Sequence, residues 1–98
     1  MLKNPDRQTV TELTELPNIG PAIAEDLRLI GVLCPQDLIH QDPYQLFKSL
    51  CLKTGVQHDP CVLDVFLAAV DFMEGGKAVP WWEFTTQRKK SFDNFQED

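Results

Sequence analysis

The stretch PCVLDVFLAAVDFMEGG, residues 60–76, is apolar on nearly every side, with Asp64, Asp71 and Glu74 as its interruptions. A helix of that pattern belongs at the centre of a bundle rather than on its surface. Asp64 and Asp71 are seven residues apart, which places them on one narrow stripe with Ala68 between them. At 1.5 Å per residue they stand about 10 Å apart along the axis, too far to share a proton. The stripe reads as a solvated groove edge.

The remaining elements announce themselves by their ends. Thr9 and Glu12 have the spacing of a capping box, which predicts a short helix through Leu13 and Leu16 that stops before Pro17. Pro21 suits the first position of a second helix, where its missing N–H costs nothing. That helix carries Ile23, Ala24, Leu27 and Ile30 on one face and stops at Gly31. Cys34-Pro35 opens a short turn containing Leu38 and Ile39. Asp42-Pro43 opens a helix with Leu46, Phe47, Leu50 and Cys51 at core spacing, closed by Gly55, and Asp59-Pro60 opens the central one. No alternating pattern suggests a β-strand in the first 76 residues. The expectation is an all-α fold of four or five short helices.

After Gly75-Gly76 the helical period fades. The text KAVPWWEFTTQRKKSFDNFQED predicts an extended segment that lays Trp81, Trp82 or Phe84 back onto the domain and then frays. The organisation is therefore a tail at 1–8, a helical domain at 9–76 and an aromatic and basic segment at 77–98.

Composition narrows the function classes. A chain of 98 residues, 43% hydrophobic and 24% charged, is one globular domain. It has no apolar run near the ~20 residues that span a bilayer. Its start, MLKNPDRQT, lacks the apolar core of a signal peptide, and three cysteines fit reduced thiols. A cytoplasmic protein without membrane contact is expected. The net charge of −6 opposes a general nucleic-acid sponge. It is unevenly spread, because residues 77–98 hold four basic against four acidic groups and contain the cluster Arg88-Lys89-Lys90.

The corner ELPNIGPAIAEDL carries the chemistry. Leu16-Pro17-Asn18-Ile19-Gly20 joins two helical stretches, and the joint resembles the helix-hairpin-helix motif, whose turn usually reads glycine, apolar residue, glycine. Glycine permits the sharp backbone path, Ile19 plugs the gap between helices, and free amides at the second helix's start attract an anion. Asn18 replaces the first glycine, a position its side chain tolerates. Pro21-Ala22 stands where the family often has a lysine or arginine, and Glu25 and Asp26 follow.

The likeness extends over roughly residues 10–90. AEDLRLIGV, LCLKTGVQHDPCVLDVFLAAVDFMEGG and PWWEFTTQRK are similar to the small bacterial helix-hairpin-helix proteins of the pathogenicity-locus family, often labelled mitomycin resistance proteins. The resemblance implies a helical domain of the SAM-like kind and a role in genome maintenance or drug damage. Weak, sequence-independent binding of double-stranded DNA would use amides around Asn18, Ile19, Gly20, Ala22 and Ile23. Arg28 would assist, with Arg88, Lys89 and Lys90 as auxiliary basic contacts.

Two other readings stand beside it. A protein-interaction module would use Trp81-Trp82 as its anchor. A thiol or zinc site would need Cys51, His58 and Cys61 to meet around the Gly55 loop, where the dipole of the following helix would favour a Cys61 thiolate. Neither a cofactor nor a resident metal is expected. No nucleophile with a nearby base and no phosphate-cradling glycine loop is present, so the chain does not read as an enzyme.

Overall fold

The computed structural model of the chain describes residues 2–90. Three α-helices form its frame: α1 (Pro21–Leu29), α2 (Pro43–Thr54) and α3 (Pro60–Met73). Single 3₁₀ turns at Leu13–Glu15, Pro35–Leu38 and Trp81–Phe84 link or flank them, and residues 85–90 continue the last turn as a helix. Among the described residues there is no strand.

The central helix follows its sequence. Every residue of α3 from Leu63 to Val70 is buried, and Phe66 and Phe72 fill the core with Leu13, Leu16, Leu27, Leu38 and Leu50 around them. The aspartates behave unlike a stripe, however. Asp71 is exposed as expected, whereas Asp64 is fully buried. Its partners come from the C-terminal segment. That segment is not extended, as the fading period suggested, but helical from Trp81 onward, with Trp81 and Phe84 packed against the core. The frayed end expected beyond residue 90 lies outside the described residues.

The helix ends obey local chemistry. Asp42 accepts the N–H of Tyr44 at 2.9 Å and Asp59 that of Cys61 at 2.8 Å, so both Asp-Pro pairs cap a helix. Gly31 (φ 93°) and Gly75 (φ 109°) end α1 and α3 in the left-handed conformation. Past Gly31, the N–H of Val32 returns to Leu27 O at 3.0 Å. Past Gly75, the N–H of Gly76 returns to Asp71 O at 2.8 Å. Both closures satisfy carbonyls that the helix leaves open.

The first limb of the corner is shorter than its apolar spacing predicts. It is one 3₁₀ turn, and its reciprocal cap joins Glu12 and Glu15 rather than Thr9 and Glu12: the Glu15 carboxylate accepts the Glu12 N–H at 2.9 Å. Val10 instead bonds back to Asp6 O at 2.9 Å, closing a separate turn that uses up the space a longer helix would need.

Candidate nucleic-acid interface

The corner is built from a buried plug and an exposed rim. Leu16, Pro17 and Ile19 are buried, and Ile19 joins the core cluster. Asn18 supplies the left-handed residue, with φ 70°. Gly20 does not: its φ of −96° and ψ of −176° are ordinary extended backbone, and a Cβ built there meets nothing within 4 Å. The glycine expected to relieve strain at this corner therefore relieves none. It faces open space at the start of α1.

The amides follow the same division. Ile19 N–H is spent internally on Leu16 O at 3.3 Å. The first bond of α1 runs from Ala24 N–H to Gly20 O at 3.0 Å, and no side chain caps this helix. Among the described residues, the N–H groups of Gly20, Ala22 and Ile23 donate to nothing. The other two α-helices have an aspartate in the equivalent place. An uncapped helix start with three free donors and a positive dipole end is an anion seat in electrostatic terms.

The charges around it differ from the sequence expectation. Arg28 sits in the last turn of α1, about 10 Å along the axis from the free amides, and pairs with Glu25 at 3.3 Å. That pairing offsets one of the acids in the helix's own first turns. The cation beside the corner is instead Lys3, whose Nζ donates to Ile19 O at 2.8 Å and also to Thr14 O. The N-terminal arm thus brings an ammonium to the carbonyls of the corner.

Asn18 has a second task. Its side-chain N–H donates to Val79 O at 2.9 Å, and its side-chain oxygen accepts the N–H of Trp81 at 3.2 Å. The corner is thereby clamped to the start of the C-terminal helical segment. At the other end of that segment, Arg88 Nε donates to Asp64 Oδ1 at 2.9 Å, and Thr85 Oγ1 donates to Oδ2 at 2.9 Å. Of the basic cluster, Lys89 and Lys90 are exposed, while Arg88 has 13% of its side chain exposed and is committed to the core.

A family model described as pathogenicity locus (Cdd1) matches residues 6–90. The chain belongs to the pathogenicity locus family. It is also 38% identical over 80 residues to the mitomycin resistance protein McrB of Streptomyces lavendulae, covering 82% of this chain and 76% of that protein. No solved structure matches it. The pathogenicity locus match takes in the corner, all three α-helices and the C-terminal segment. Lys3 lies before it.

The cysteines make no such site. Cys51 packs against the core, and all three cysteines are free thiols. Thr54 Oγ1 donates to Leu50 O at 2.9 Å, which leaves that hydroxyl to accept from His58 Nε2, also at 2.9 Å. Among the described residues, no three of His, Cys, Asp and Glu gather as a metal site, which removes the zinc reading of Cys51, His58 and Cys61. The thiolate reading is reversed too. The hydrogen bond of the Cys61 thiol to Asp59, with some burial, pushes that thiol up, against the pull of the helix dipole. The backbone and thiol of Cys61 in turn hold Asp59 below the usual carboxylate range. No helix among the described residues is long and apolar enough to cross a membrane.

Proposed function

We propose that this chain is a non-catalytic, helix-hairpin-helix type DNA-binding module that takes a backbone phosphate at the start of α1. The observation that carries the reading is the uncapped helix start: free N–H groups on Gly20, Ala22 and Ile23 and a bare Cα facing open space, with the Lys3 ammonium on the carbonyl of the neighbouring Ile19. Phosphate oxygens accept from the amides, and the ammonium supplies the charge that the corner itself lacks. Nothing in the seat reads a base, so binding is indifferent to sequence and weakens with salt. The acidic remainder of the chain keeps the interaction local and of low affinity.

A role in mitomycin resistance comes to the chain from the name of its Streptomyces relative, and a cytoplasmic location fits the reading. The direct test is a titration of duplex DNA into isotopically labelled protein at low salt. Amide signals of Gly20, Ala22 and Ile23 shift and return as salt rises. Unmoved signals there, with duplex in excess, reject the reading.

A further inference from the structure

The C-terminal segment has two faces. Trp81, Phe84, Thr85 and Arg88 turn toward the core at helical spacing. Trp82, Thr86 and Lys89 follow one another on the opposite, exposed side, with Lys90 next along. Trp82 is 61% exposed, the largest apolar side chain the described residues leave to solvent. Its ring meets Trp81 nearly perpendicularly, with centroids 5.6 Å apart at 82°, so at least one indole face stays open.

The backbone that carries this tryptophan is fastened on both sides. Trp81, its neighbour, is anchored in the core and bonded through its N–H to Asn18. Asn18 is two residues from Gly20, so the start of the segment that carries Trp82 is fastened to the corner that carries the seat. The far end of the segment is fixed by Asp64 to Arg88. A large aromatic ring presented in water on a backbone pinned at both ends is a platform. Its neighbours decide for what. Glu83, Thr86 and Lys89 are exposed and polar, whereas the centre of a protein interface is depleted of charge around its aromatic anchor. An open indole face with lysines two helical turns along suits nucleic acid, whose bases offer π faces and whose phosphates offer charge.

We propose that Trp82 stacks on an unpaired base of a DNA strand whose phosphate occupies the seat at α1, with Lys89 and Lys90 meeting phosphates further along. The preferred ligand is DNA carrying unpaired nucleotides, such as a gap or a single-stranded end, rather than intact duplex. This inference rests on the phosphate seat proposed above and adds a discriminating element to it. Because every base has a π face, the preference is for strand state and not for sequence.

The test is fluorescence anisotropy at low salt on the full chain, with a labelled blunt duplex and the same duplex containing a short gap. Wild-type protein binds the gapped DNA about tenfold more tightly. Trp82→Ala removes that preference and leaves blunt-duplex affinity unchanged, Trp82→Phe keeps most of it, and Glu83→Gln strengthens binding to both. Equal affinity for the two DNAs, untouched by Trp82→Ala, overturns the stacking proposal while leaving the phosphate seat standing. Binding to neither overturns both. Sedimentation gives a further outcome: if Trp82→Ala dissolves a protein oligomer and leaves DNA affinity unaltered, the surface is a protein contact and the proposal is overturned.

Discussion

Asp64, without exposed surface on the central helix, receives the Nε of Arg88 at 2.9 Å from a segment 24 residues further on. With Thr85 on its other oxygen, the carboxylate is satisfied only while that segment is docked. Arg88→Ala strands a buried charge and should destabilise the fold by about 3–5 kcal/mol in urea denaturation. The pair Asp64→Leu with Arg88→Met should restore most of that loss, since no charge then lies buried. An Arg88→Ala protein as stable as wild type would show the pair to be idle.

Gly20 separates binding from folding. Its extended φ and the open space at its Cα predict that Gly20→Ala changes stability by less than about 1 kcal/mol, measured by thermal melting. Gly20→Val places a branched side chain over the free amides and should weaken duplex binding while the melting temperature stays close to wild type. A steep loss of stability in either variant would mean the corner needs glycine for itself.

Lys3 should be visible in the salt dependence. Lys3→Gln removes one phosphate contact, so the slope of log affinity against log salt should fall by about one. The same substitution takes a donor from the carbonyl of the buried Ile19, so a loss of about 1 kcal/mol in stability should accompany it. An unchanged slope would place Lys3 outside the interface.

Asn18 has both a backbone and a side-chain role, and two variants divide them. Asn18→Gly keeps the left-handed turn and loses the bonds to Val79 and Trp81, which should cost about 1–2 kcal/mol and speed hydrogen exchange at Trp81. Asn18→Ala adds the penalty of a left-handed alanine, about 1 kcal/mol more. Equal effects from both would contradict the clamp.

Asp59 and Cys61 give a pH signature. Because the carboxylate pushes the thiol up, Asp59→Asn should move Cys61 alkylation to lower pH and raise its rate at mildly alkaline pH several-fold, read by mass spectrometry. The sign for stability follows. The thiol's contribution is present below its unfolded pKa and is lost as pH rises through the raised folded value. Asp59, held low, contributes above the ordinary carboxylate range and loses its effect as pH falls through the lowered value.

What could be read in advance was local. The all-round apolarity of α3, the Asp-Pro caps and the glycine stops at Gly31 and Gly55 each depend on a few adjacent residues, and each appears where its pattern puts it. What escaped was long-range. Asp64 has the spacing of a surface stripe with Asp71, and only a partner arriving from Arg88 makes its burial affordable. Lys3 carries no motif; it matters through carbonyls 11 and 16 residues away. Gly20 was misjudged because its motif suggests strain, whereas Asn18 absorbs the left-handed residue and leaves Gly20 relaxed.

The bonds from Asn18 to Val79 and Trp81 cross 61 and 63 residues of chain. During synthesis, the corner and α1 emerge from the ribosome long before the groups that fasten them exist. The nascent protein therefore carries an unfastened corner until Val79 and Trp81 have been translated, and a chain cut short ahead of Val79 has α1, α2 and α3 but neither fastener.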